Sequence, residues 1–77
     1  MDKHEIAKIL HEMSVFYELK GENPFKVRAY ENASRIIEGL TDDIATLIAS
    51  DELTSIKGIG KNLAEHIAEI AKTGKLK

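Results

Sequence analysis

The stretch Ser55-Ile56-Lys57-Gly58-Ile59-Gly60-Lys61-Asn62 places two glycines around one apolar residue, directly before a helical pattern. Glycine lets the backbone turn sharply and lets another backbone approach closely. The amides that open the following helix have no intrahelical acceptor, and the helix dipole adds partial positive charge there. Lys57 and Lys61 bracket the turn. We therefore interpret the stretch as a main-chain anion site suited to a phosphate, with a tight, purely structural turn as the alternative.

The rest of the chain predicts helices and no strands. Apolar residues recur at spacings of three and four in segments that we predict as helices over 2–20, 24–38, 42–54 and 60–73. Asn23-Pro24 is a typical helix start, because Asn caps well and Pro lacks an N–H that would have no partner there. No alternating pattern appears, so we expect an all-α fold.

Length and composition limit the function. The chain has 77 residues, which predicts a single domain over residues 1–77 and leaves no room for a polymerase or kinase catalytic domain. The absence of Cys excludes disulfides, thiolate metal sites and a cysteine nucleophile. No apolar run reaches the roughly 18 residues of a membrane span, and no leader pattern opens the chain. We expect a cytoplasmic protein with no membrane partner.

Charge is distributed unevenly along the chain. There are 11 Lys plus Arg and 13 Asp plus Glu, a formal net charge of −2. Residues 41–54 contain four acidic residues and no basic one, a net of −4, whereas residues 55–77 contain five lysines and two glutamates, a net of +3. A basic segment of this kind can bind a polyanion although the whole chain is mildly acidic, but a solvated helix with ordinary lysines is the simpler interpretation.

A second motif, Asn23-Pro24-Phe25-Lys26-Val27-Arg28-Ala29-Tyr30, carries another candidate site. Lys26 and Tyr30 are four residues apart and share a helix face, so an ammonium and a phenol can hold one phosphate together. Phe25 can stack on a base, as aromatic side chains do for single strands. The structural alternative is that Phe25 fixes the entry of the helix and Tyr30 belongs to the core.

Together these stretches resemble a known family. The run from Gly21 to Ala33, then Gly58-Ile59-Gly60-Lys61, then Thr73-Gly74-Lys75-Leu76, resembles the N-terminal 8-kDa domain of family X DNA polymerases, most of all the bacterial and archaeal members. The resemblance covers essentially the whole chain. It implies a compact four-helix domain whose last two helices form a helix-hairpin-helix motif. It also implies a DNA-binding module that grips the 5′-phosphate side of gapped or nicked DNA in base excision repair.

The resemblance also implies site residues. By position, Lys26 and Tyr30 match residues that contact the 5′-phosphate, and Phe25 matches a stacking ring. The backbone carbonyls of Thr54, Ile56 and Ile59 would hold a monovalent cation, Na⁺ or K⁺, that bridges to a phosphate when DNA is bound; we expect no other cofactor. The predicted DNA-contacting residues are Phe25, Lys26, Tyr30, Lys57, Gly58, Ile59, Gly60, Lys61, Asn62 and His66.

Three positions depart from the family pattern. The lysine that forms a Schiff base with a 5′-deoxyribose phosphate in the lyase-active members is His66 here, and imidazole is not a primary amine. A second family lysine is Asn62, and the proline usual before the first hairpin glycine is Lys57. We therefore expect weak or absent lyase activity and assign no catalytic residue.

Two other functions stay open at this point. One is a 5′-deoxyribose-phosphate lyase that uses a non-standard amine, Lys26 or Lys61. The other is a helical protein-interaction module whose hairpin is structural. If the chain is an excised segment, its further partners are the nucleotidyltransferase domains of the same polymerase. No helix offers a row of Arg, Asn and Gln for the major groove, so we expect DNA binding without base specificity.

Overall fold

The computed structural model describes residues 2–73 and contains four α-helices. They are α1 (Lys3–Leu19), α2 (Pro24–Glu38), α3 (Ile44–Ala49) and α4 (Lys61–Thr73), with a 3-10 turn at Leu53–Ser55 between the last two. No strand occurs within residues 2–73, and the all-α prediction is confirmed. Gly74, Lys75 and Leu76 of the third sequence motif lie outside the described residues. In the described part of the chain, no helix has the length and apolarity to cross a membrane.

The turn between α1 and α2 follows the local signals of the sequence. Gly21 has φ +78, and the amide of Glu22 donates to the carbonyl of Tyr17 at 3.0 Å, which satisfies the end of α1 in the usual glycine-terminated way. The side chain of Asn23 then accepts from the amide of Phe25 at 2.8 Å and starts α2. Four residues therefore suffice to reverse the chain.

The two long helices are antiparallel, and two side-chain contacts join them at the end away from the turn that connects them. His4 Nδ1 lies 2.7 Å from Glu38 Oε1, and Lys3 donates from Nζ to the carbonyl of Leu40. Both contacts join the first turn of α1 to the end of α2. The start of α2, with Phe25 and Lys26, consequently lies at the opposite end of this helical pair.

The prediction of one continuous third helix over 42–54 is wrong. The side chain of Asp43 accepts from the amide of Ala45 at 3.2 Å, so α3 begins at Ile44. Asp51 has φ 58 and the amide of Glu52 donates to the carbonyl of Leu47 at 2.9 Å, which ends the helix. The short 3-10 turn follows as a separate element. Asp51 thus takes at the end of α3 the left-handed conformation that Gly21 takes after α1.

The core fixes the orientation of the hairpin that follows α3. Five isoleucine and leucine side chains from α1, α2 and α4 are fully buried, and each contributes about 1.5–3 kcal/mol through removal from water. They are Ile6, Leu10, Ile37, Ile67 and Ile70. Leu53 and Ile59, from the connection between α3 and α4, join the same cluster. The predicted helix-hairpin-helix arrangement of the last two helices is therefore held against α1 and α2.

Candidate nucleic-acid interface

The turn before α4 is built on one glycine in the left-handed region and one buried isoleucine. Gly58 has φ +97, and a Cβ at this position would lie 2.6 Å from Cδ1 of Ile36 on α2. The amide of Ile59 donates to the carbonyl of Ile56 at 3.0 Å, and the Ile59 side chain is only 3% exposed. The turn is therefore anchored by Ile59 inward and packed closely against α2.

The amides that follow this turn have no acceptor of their own. The first intrahelical bond of α4 runs from the amide of Ala64 to the carbonyl of Gly60 at 2.9 Å. Within residues 2–73, no acceptor is found for the amides of Gly60, Lys61, Asn62 and Leu63. A Cβ added at Gly60 would meet nothing within 4 Å, so this side of the backbone is open. Four unpaired N–H groups at the start of a 13-residue helix suit an anion.

Three of the predicted side chains surround this turn in solvent. Lys57 and Lys61 are exposed on either side of the glycines, and Asn62 is exposed in the first turn of α4. None of these side chains makes an ion pair within the described chain. Two lysine charges thus stand beside the unpaired amides and add to the positive end of the helix dipole.

The predicted pair Lys26 and Tyr30 is divided between surface and interior. Lys26 is exposed, and its Nζ lies 4.2 Å from the centroid of the Tyr17 ring. Phe25, the neighbouring aromatic, is 78% exposed. Tyr30, by contrast, is only 4% exposed, so its ring belongs to the core.

The hydroxyl of Tyr30 is engaged by His66 of α4. The phenol oxygen forms a hydrogen bond with His66 Nδ1, and the two rings are stacked with centroids 6.0 Å apart and planes 28° apart. The Tyr17 ring packs edge-on against Tyr30 at 5.2 Å. Burial raises the pKa of Tyr30 to about 12, and the nearby Tyr17 phenol acts in the same direction. The structure thus links Lys26, Tyr17, Tyr30 and His66 in one continuous line from α2 to α4.

A groove along α2 ends at the same hairpin. Two of its lining residues are arginines, and none is acidic; the lining is Phe25, Arg28, Ala29, Asn32, Arg35, Ile36 and Gly58. Arg35 is paired at 2.9 Å with Glu31 outside the lining. Arg28, Asn32, Arg35 and Tyr17 were not among the sequence-predicted residues. The spacing Phe25, Arg28, Asn32, Arg35 follows one helix face and is the signal that could have found three of them.

The carbonyls predicted to hold a monovalent cation are compatible with that role. Within residues 2–73, the carbonyls of Thr54 and Ile59 accept no backbone hydrogen bond, while that of Ile56 accepts one from Ile59 and keeps its second lone pair. Hard cations such as Na⁺ and K⁺ take oxygen ligands of this kind. The described chain brings no three His, Asp or Glu side chains together as a metal site.

Comparison with known proteins gives two matches. The sequence matches the helix-hairpin-helix domain family over residues 1–76. It is 39% identical over 75 residues to the DNA polymerase/3'-5' exonuclease PolX of Bacillus subtilis (strain 168), an alignment that covers 97% of this chain. The chain spans only 13% of the length of that relative. Both matches confirm the resemblance inferred from the sequence motifs.

Proposed function

This chain belongs to the helix-hairpin-helix domain family, and from that membership we propose that it is the DNA-binding module of a family X polymerase. It grips the 5′-phosphate side of gapped or nicked DNA, without base specificity, in the context of base excision repair. The observation that carries the proposal is the set of unpaired amides from Gly60 to Leu63, flanked by two exposed lysines. Its partners are DNA and, where the chain is part of a longer polymerase, the catalytic domains of that polymerase.

The hairpin binds a backbone phosphate through its main chain. The open face at Gly60 lets phosphate oxygens reach the amides, and the helix dipole favours their negative charge. Lys57 and Lys61 add charge from both sides of the turn. These contacts involve phosphate and no base edge, so they position the strand without reading its sequence.

The end of the broken strand binds beside the start of α2. Lys26 offers an exposed ammonium held over the Tyr17 ring, and the Tyr30–His66 pair lies next along the same line. Phe25 is exposed enough to stack on an unpaired base. The groove from Phe25 to Gly58 supports this arrangement, because its two arginines favour a polyanion between the two sites.

A monovalent cation completes the hairpin site in this proposal. The carbonyls of Thr54, Ile56 and Ile59 would hold Na⁺ or K⁺ when DNA is bound, and the ion would supply positive charge beside the bound phosphate.

The test is a binding titration on four DNAs. Gapped, nicked and intact duplexes with a 5′-phosphate are compared with the gapped duplex that ends in a 5′-hydroxyl, while the backbone amide shifts are followed by NMR. We expect the 5′-phosphorylated gap to bind best and the amides of residues 60–63 to shift most. Equal affinity for the phosphorylated and unphosphorylated gaps would remove Lys26 and Tyr30 from the proposed role.

A charge reversal separates this function from protein interaction alone. Lys61→Glu places a negative charge beside the amides, and Lys72→Glu makes the same change in the last turn of the same helix. We expect the first to weaken DNA binding about tenfold or more and the second to have little effect, because electrostatic contacts to phosphate act locally at ordinary salt. DNA affinity left unchanged by Lys61→Glu would favour a helical protein-interaction module.

A further inference from the structure

The Tyr30–His66 pair has a chemical consequence for the DNA-binding face, on the premise of the proposed function. The Tyr30 hydroxyl is buried between α1, α2 and α4, and its hydrogen-bond partner is His66 Nδ1. His66 itself is only partly buried. The Nδ1 edge of the imidazole therefore faces the interior, while the rest of the ring reaches the surface of α4.

This hydrogen bond can run in either direction, depending on the tautomer of His66. Tyr30 keeps its proton across the physiological range, because burial holds its pKa at about 12. The Tyr30 hydroxyl can therefore donate its proton to Nδ1 where that nitrogen carries none. No carboxylate within residues 2–73 lies at ion-pair distance from His66. Donation from Tyr30 to Nδ1 leaves the ring proton of His66 on Nε2.

We propose that Tyr30 is a positioning residue that donates to His66 Nδ1 and leaves the ring proton on Nε2, and that His66 Nε2–H contacts a phosphate oxygen of the bound strand. His66 lies one helical turn after Asn62, on the face of α4 that begins at the unpaired amides. A donor row thus runs from the hairpin amides through Asn62 to His66. Tyr30 acts on the phosphate only through the imidazole, because its own oxygen is occupied and buried.

This assignment gives His66 a definite role at the position where lyase-active relatives carry an amine. A neutral imidazole cannot form an iminium, but it can hold a strand end by one directed N–H group. The stacked geometry of the two rings, 28° between planes, restricts rotation of the imidazole and reduces the entropy lost when it binds. The site therefore binds a phosphate and does not form an iminium.

The experiment has two readouts on the same chain. The first is the tautomer of His66, measured by long-range proton–nitrogen NMR of the free protein at about pH 8, where an ordinary imidazole is neutral. We expect the Nε2–H form. Detection of the Nδ1–H form would overturn the inference, because His66 would then donate to Tyr30 and offer an acceptor to DNA.

The second readout is a double-mutant cycle on 5′-phosphorylated gapped DNA. Tyr30→Phe should weaken binding about threefold to tenfold, as expected for one hydrogen bond, and should cause no further loss in a His66→Ala background. Tyr17→Phe is the comparison variant, because it removes the phenol that neighbours Tyr30 while both partners of the Tyr30–His66 bond remain. Circular dichroism of each variant checks that the helices remain.

The outcomes distinguish this inference from the proposed function. If Tyr30→Phe weakens binding by the same factor with and without His66, Tyr30 contacts the phosphate directly and this inference alone is overturned. If the unaltered protein binds no DNA, the proposed function and the inference fail together. Loss of the Tyr30 effect in the His66→Ala background supports both.

Discussion

At the scale of single residues, the two hairpin glycines serve different purposes. Gly58 has a positive φ and lies against Ile36, so it is required by the fold. Gly60 has open space around it, so a side chain there would fit but would cover the amides. The sequence motif does not distinguish these roles, because both glycines are direct neighbours of Ile59.

The two glycines therefore predict opposite phenotypes. Gly58→Ala should destabilise the fold by about 1–2 kcal/mol, the cost of a left-handed backbone for a residue with a Cβ, and Ile36 must also move. Gly60→Ala should leave stability nearly unchanged and weaken DNA binding severalfold. Urea unfolding and a DNA titration of both variants measure the two effects. A Gly60→Ala variant that binds DNA normally would exclude close approach of phosphate to this turn.

Tyr30 predicts a dependence of stability on alkaline pH. Its pKa is about 12 in the folded chain and about 10 for an exposed tyrosine, so the folded state keeps the proton to higher pH than the unfolded state. The resulting stabilisation, on the order of 2–3 kcal/mol, is complete below about pH 10 and is lost between about pH 10 and 12. Urea unfolding across this range should show the stability of the unaltered protein falling relative to that of Tyr30→Phe. Tyr17→Phe, which keeps the Tyr30 phenol, should still show the loss.

At the scale of elements, helix ends could be predicted where the signal is a side chain acting on its own neighbours. The Asn23 cap and the Gly21 terminus both follow from a few adjacent residues. The break after α3 was missed because Asp51 adopts the left-handed conformation, which aspartate reaches less often than glycine. The hydrogen bonds that close this end are the same as those after α1, but no glycine marks them in the sequence.

The register of α4 predicts the outcome of a lyase assay. By the family resemblance, His66 stands at the position of the Schiff-base lysine, and Nζ of Lys26 lies 4.2 Å from the centroid of the Tyr17 ring. We expect little or no borohydride-trapped adduct with a 5′-deoxyribose-phosphate substrate. Restoring the amine with His66→Lys is the informative comparison. A strong adduct that survives both Lys26→Ala and Lys61→Ala would contradict this account of the site.

At the scale of the whole molecule, the candidate site depends on contacts that local patterns do not contain. The Tyr30–His66 bond joins residues 36 positions apart, and the sequence indicated only that Lys26 and Tyr30 share a helix face. Which of the two is buried depends on how α1 and α4 pack against α2. The groove was missed for the same reason, since Gly58 reaches α2 only through the tertiary fold. The chemistry of the hairpin, by contrast, could be inferred from eight consecutive residues.

Salt dependence is the prediction that belongs to the whole molecule. Four exposed cationic side chains outside the described ion pairs, Lys26, Arg28, Lys57 and Lys61, lie along the proposed DNA path. If each neutralises one phosphate, affinity should fall about 150-fold between 50 and 200 mM salt, whatever the base sequence. Lys61→Glu should reduce the slope by about one contact. A slope near zero would show that binding is not made through phosphates.

The contacts of Lys3 and His4 with the end of α2 determine where the molecule can be labelled. Glu38 is twelve residues after Lys26 in α2, and each residue adds about 1.5 Å to a helix. A fluorophore on the first turn of α1 is therefore about 18 Å from the proposed strand end. At that distance it can report on rotation of the complex without obstructing it. Deleting the first four residues instead would remove both contacts, and the two helices would then separate from that end.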